Sequence, residues 1–153
     1  MFLCPWAEPV NAWNQRRLAA AAACTLALGA PLAHAGDFSW NKDGVSPAIN
    51  YAGRHVVATY SPTSTPGAPV TAVHATRSYQ GTSIVKTVLC FGTVDKCVPM
   101  PGGQLMTHAF DGMDAAGPVY MVHQVMGKGA LPTPVYVKGS VAVWFSPPAS
   151  PGR

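Results

Sequence analysis

Ser83-Ile84-Val85-Lys86-Thr87-Val88-Leu89-Cys90-Phe91-Gly92-Thr93-Val94-Asp95-Lys96-Cys97-Val98 decides the fold class. Ile84 to Phe91 is apolar on both faces except at Lys86 and Thr87, the pattern of a strand covered on both sides. Between the cysteines lie a Gly and an Asp suited to a hairpin loop, and Val98 starts the return. Cys90 and Cys97 are therefore placed for a cross-strand disulfide near a hairpin end. Closing so short a loop stabilises by about 2–3 kcal/mol, less any strain. A redox pair favours Cys-x-x-Cys at a helix start, and neither that spacing nor a helix is read here. A zinc site needs a second ligand pair, which does not follow.

Outward from this hairpin, the chain alternates short β-like runs with breakers. Val70 to Tyr79 places Val73, Ala75, Arg77 and Tyr79 on one face and Ala72, His74 and Thr76 on the other. Asn50 to Tyr60 reads as one strand, and Val119 to Met126 as another. Gln104 to Phe110 reads as a shorter one. Pro134 to Lys138 and Val141 to Phe145 read as a hairpin turning at Lys138-Gly139-Ser140. Ser61 to Pro69 carries Pro62, Pro66 and Pro69 and is predicted as a loop, as are Pro99 to Gly103 and Asp111 to Pro118. Gly36 to Pro47 reads as a polar lead-in holding Phe38 and Trp40. No window after residue 36 sustains a 3.6-residue period with caps. About seven strands with turns at short intervals predict an all-β domain, a small antiparallel β-sandwich or barrel.

The N-terminal part has a different composition. Asn14-Gln15-Arg16-Arg17 precedes an apolar stretch from Leu18 to Leu32, and Ala33-His34-Ala35 precedes Gly36. A positive region, an apolar region and a small-x-small site make a secretory signal. The stretch is short of the roughly 20 residues a spanning helix needs, so no membrane span is expected in the mature chain. The predicted organisation is a removed signal over residues 1–35, a β-domain over 36–146 and a flexible tail over 147–153. Arg16-Arg17 permits twin-arginine export, although Leu18-Ala19-Ala20 lacks the usual bulky pattern. Cys24 has only a weak likeness to a lipoprotein site. Cys4 and Cys24 leave with the signal, so Cys90 and Cys97 are an even pair in an oxidising periplasm.

Composition narrows function. The 153 residues are 48% hydrophobic and 10% charged, too apolar for disorder, and suffice for one domain. Loss of Arg16, Arg17 and Glu8 takes the formal charge from +4 to +3, and the remaining bases are scattered. No nucleic-acid partner is indicated. There is no Gly-x-Ser-x-Gly elbow and no phosphate-cradling Gly motif. Asp111 and Asp114 share a Gly-rich loop, where solvated acids are far commoner than a catalytic pair. No enzyme and no cofactor are predicted.

Two sets of residues remain as candidate sites. Met106 and His108 are two apart, and so are Met121 and His123. On adjacent strands facing one side, two thioethers and two imidazoles would suit Cu(I), an alternative reading as a periplasmic copper-binding β-domain. The competing reading has Met121 filling core and the histidines bonded to backbone or water. Trp40, Trp144, Tyr51 and Tyr79, with Tyr120 and Tyr136, are candidates for a recognition surface, since aromatics lead binding hot spots. Trp144 alternates with Val143 and Phe145, so if those point inward it points outward. At least one of Trp40 and Trp144 is expected to be substantially exposed and to share a face with a Tyr.

The order of features resembles the periplasmic flagellar protein FlhE family. The matching elements run from Trp40, Gly44 and Asn50-Tyr51-x-Gly53 through the Pro-rich stretch at Pro62 to Tyr79. They continue through Val88-Leu89-Cys90, Cys97-Val98, Gly102 or Gly103 and Thr107-His108-x-Phe110. Val122 to Val125, Gly127, Gly129, Leu131-Pro132-Thr133-Pro134 and Val141-x-Val143 complete the set, which spans most of residues 38 to 145. The resemblance implies a periplasmic, all-β accessory or chaperone-like factor of flagellar assembly. Such a factor limits proton leak through the flagellar export apparatus, with export or rod components as partners. It implies no enzymatic activity and carries over no catalytic residue.

Overall fold

In the computed structural model, residues 38–64 and 67–146 are described. The predicted signal over residues 1–35, with Cys4 and Cys24, Pro66 and the predicted tail over 147–153 lie outside them. Among the described residues ten strands form, all in antiparallel pairs: β1 (Phe38–Val45), β2 (Ile49–Ala52), β3 (His55–Tyr60), β4 (Val70–Tyr79), β5 (Val85–Phe91), β6 (Cys97–Met100), β7 (Gln104–Thr107), β8 (Val119–Val125), β9 (Gly129–Val135) and β10 (Val137–Phe145). One four-stranded sheet has the order β1-β10-β4-β7, a second β3-β8-β5-β6, and β2 pairs with β9 in a small third sheet. Neither larger sheet closes on itself, so the domain is an open sandwich and not a barrel.

Period-2 patterning explains the packing. In β8, Val119, Met121, His123 and Val125 are buried and alternate with half-exposed residues. In β10, Val137, Gly139, Val141, Val143 and Phe145 alternate in the same way. The two inner faces meet in a core that joins Val73, Val141 and Val143 of one sheet to Leu89, Phe91 and Met121 of the other. Fully burying each such side chain contributes about 1.5–3 kcal/mol. A smaller cluster of Ile49, Val85, Val125, Val135 and Val137 ties the third sheet to the sandwich.

The Cys90–Cys97 disulfide forms at the predicted hairpin, with the two cysteines in register across β5 and β6 and Cα atoms 4.0 Å apart. Cys90 is fully buried and Cys97 exposed, so the bond fastens the edge strand β6 to the core.

Four expectations are corrected. Pro99 and Met100, read as the start of a loop, end β6 in register with Val88 and Thr87. The polar lead-in contains β1, which pairs along its whole length with β10. Its side chains are mostly exposed because it is an edge strand with little to bury. The single strand over Asn50 to Tyr60 is two strands in different sheets, separated at Gly53, whose φ of 82° ends the extended run. Lys138-Gly139-Ser140 is not a turn but lies inside β10, and β9 and β10 do not pair with each other. Gly139 is there for close approach: the Tyr60 hydroxyl occupies the space a Cβ would need. Its register partner Gly44 lies under the same ring, with Tyr60 Cε1 3.1 Å from where a Cβ would stand.

Candidate functional site

Alternation along β1, β10 and β4 sets the chemistry of the first sheet's two faces. Inward rungs are Trp40–Val143–Val73 and Gly44–Gly139–Arg77. Outward rungs are Asp43–Ser140–Thr76 and Val45–Lys138–Ser78. These outward rungs, with Gly44, Gly139 and Arg77 of the rung between them, line a shallow trough of about 570 Å³. A second hollow of about 660 Å³ shares Val45, Ser78 and Lys138 and continues to Gln80, Pro134 and the exposed ring of Tyr136. Among the described residues neither Asp43 nor Lys138 is in an ion pair.

Beneath this sheet lies a buried polar pair. His123 Nδ1 and Thr87 Oγ1 share a hydrogen bond of 2.9 Å on a rung between β8 and β5. His123 Nε2 and the Tyr60 hydroxyl have no partner within the described residues. Burial, aided by the positive charge of Arg77, lowers the His123 pKa to about 4. Burial, aided by Asp43, raises the Tyr60 pKa.

The four residues of the copper alternative do not converge. β7 is the edge of one sheet and β8 a central strand of the other. Met106 is 56% exposed, whereas Met121 and His123 are completely buried. His108 lies just beyond β7, where Nδ1 bonds the Thr71 carbonyl at 2.7 Å and Asp111 Oδ2 at 3.2 Å. A carbonyl only accepts, so Nδ1 carries the proton. Thr71 is the residue skipped where the β4–β10 register shifts, and His108 satisfies its carbonyl. The adjacent-strand geometry that a Met/His copper site requires is absent. Among the described residues no cluster of three or more His, Cys, Asp or Glu side chains is placed to hold a metal. Asp114 accepts from the Ala116 amide at 2.9 Å, which holds its own loop.

The aromatic candidates are scattered. Trp40, half-buried, packs on the main core and donates from Nε1 to the Ala115 carbonyl at 2.8 Å. Trp144, also half-buried, points to the outer face in register with Ser39 and Ala72. The outward direction of Trp144 follows the alternation, but neither indole is strongly exposed and no Tyr stands in register beside Trp144. Tyr51 is exposed on β2 under the Arg54 guanidinium. Tyr79 packs on the smaller cluster, and its hydroxyl accepts from the Val85 amide at 3.4 Å. Two of the three strands under the trough are not legible locally, since β1 reads as a lead-in and Gly139 in β10 as a turn. Strict alternation of Thr76 and Ser78, and of Lys138 and Ser140, was the available signal.

These features define a small disulfide-fastened β-sandwich with an open trough of mixed polar and apolar lining on one sheet. The family model described as Flagellar protein FlhE matches residues 46–145. The chain belongs to the FlhE family and is a flagellum-associated protein. A solved structure described as the crystal structure of FLHE is similar, with a TM-score of 0.65 and 25% identity, covering 74% of this chain and 100% of that one. No curated protein sequence matches.

Proposed function

We propose that the chain is a non-enzymatic, chaperone-like accessory of flagellar assembly that works in the periplasm and limits proton leak through the flagellar export apparatus. Family membership over residues 46–145 carries this reading. The secretory signal read from the sequence over residues 1–35 and the disulfide support periplasmic residence, where such a bond persists. Three loop groups that could otherwise titrate in a site are engaged in holding the fold: His108 bonds the Thr71 carbonyl and Asp111, and Asp114 holds its own turn. Flagellar export or rod components are the proposed partners. Among the described residues no helix is long and apolar enough to cross a membrane.

A deletion strain tests this. Expected are altered flagellation or motility and faster acidification of the cytoplasm in acid medium, restored by the intact gene. Unchanged motility, flagellar number and cytoplasmic pH would sink the proposal. N-terminal sequencing of periplasmic protein should begin at Gly36.

A further inference from the structure

The outer trough of the first sheet has a chemistry that the core does not explain. Its two hollows, about 570 and 660 Å³, each lie in the size range of small-molecule sites. Thr76, Ser78 and Ser140 present hydroxyls that both donate and accept. Asp43 and Lys138 add groups of opposite charge, and the third charged residue of the lining, Arg77, donates from Nε to the Gly102 carbonyl. At its far end Tyr136 offers a ring that is 54% exposed.

Elimination narrows the ligand. An extended peptide gains affinity by main-chain bonding to a free sheet edge. Here the trough crosses β10, whose backbone is already paired on both sides, with β1 and with β4. An anionic ligand would need several free bases, whereas Asp43 opposes Lys138 and the Arg77 guanidinium is held at the Gly102 carbonyl and over the Tyr79 ring. A purely apolar ligand would leave three hydroxyls and two charges desolvated. What fits is a neutral molecule with many hydroxyls and an apolar face able to stack on a ring.

We infer that this trough is a saccharide-binding site, with Tyr136 as the stacking platform and Asp43, Thr76, Ser78, Lys138 and Ser140 as the hydrogen-bonding wall. Occupancy runs from the Asp43–Ser140 rung across Lys138 to Tyr136. Between the two outward rungs the inward-facing Gly44–Gly139 pair contributes only backbone to the floor.

Titration of the isotope-labelled protein with cellotetraose, the N-acetylglucosamine tetramer and maltotetraose, followed by amide shifts, tests the site. At least one should move amides within 43–45, 76–80 and 136–140 in a saturable way. Tyr136→Ala should weaken that binding by at least about tenfold at an unchanged melting temperature, and Tyr136→Phe should retain it. Asp43→Asn, a near-isosteric second variant, should weaken it too. No shifts with any of the three at millimolar concentration would overturn the inference. So would shifts elsewhere, binding indifferent to Tyr136→Ala, or an extended peptide moving these amides when no sugar does.

Discussion

The centre of β8 and the rim at β7 carry the same Met-x-His spacing in opposite surroundings. Met121 and His123 face the middle of the sandwich and are completely buried. Met106 stands on a four-residue edge strand, 56% exposed, and His108 follows it in a loop. A central strand has neighbours on both sides and a sheet above it, so its inward side chains have no route to water. An edge strand leaves one flank open. The same two residue types therefore serve packing in one place and clasp a loop in the other. His123 shows the cost of the first arrangement, since Nε2 has no partner within the described residues.

Truncation should separate the two regions most sharply. Met121→Ala removes side-chain volume at the point where both sheets meet Tyr60 and Gly139, and should cost about 2–5 kcal/mol. Met106→Ala should stay within about 0.5 kcal/mol of the parent. Denaturant midpoints at pH 7 measure both, and similar losses would contradict the contrast.

Acid should sharpen it. The His123 pKa is about 4 in the folded protein, below the ordinary 6.5 of the unfolded chain. As pH falls from 6.5 towards 4 the unfolded chain takes up a proton that the native core refuses. Stability is therefore fully present above 6.5, declines by about 3 kcal/mol across that window and levels off below it. His123→Gln should remove this part of the decline, while His108→Gln should leave it in place. Chemical denaturation at several pH values is the measurement, and parallel profiles for parent and His123→Gln would refute the assignment.

The disulfide ranks next. Cys90→Ser with Cys97→Ser should lower stability by about 2–3 kcal/mol, read from melting under non-reducing conditions. Because Cys97 is exposed, a thiol reductant should bring the parent to nearly the same point without prior unfolding.

Legibility in the sequence followed the same division. β4, β5 and β8 were read closely because central strands have to be apolar on at least one face. β1 was missed because an edge strand such as Ser39-Trp40-Asn41-Lys42-Asp43 has almost nothing to hide. Gly139 was misread because a glycine chosen for contact with a distant Tyr60 looks locally like one chosen for a turn. The trough depends on both, so the residues of its two outward rungs do not come together in the local pattern. The disulfide was legible because both of its cysteines sit within one hairpin.

The smallest expected difference lies between the two tryptophans on either side of the first sheet. Trp40 pairs with Val143, so its ring turns inward, and its Nε1 bonds the carbonyl of the fully buried Ala115. The Ala115 amide in turn donates to the Ala68 carbonyl at 2.8 Å, so the indole reaches from an edge strand to the two loops that close that end of the core. Trp144 is one residue from Val143 and turns outward, where its neighbours in register are Ser39 and Ala72. Trp40→Phe keeps an apolar ring but strands the Ala115 carbonyl, which should cost about 1 kcal/mol and speed hydrogen exchange at Ala115 and Gly117. Trp144→Phe removes a donor for which water can substitute and should change stability by no more than about 0.5 kcal/mol. If Trp144→Phe proved the more damaging, or if exchange in the loop ignored Trp40→Phe, the inner and outer roles given to these two residues would have to be exchanged.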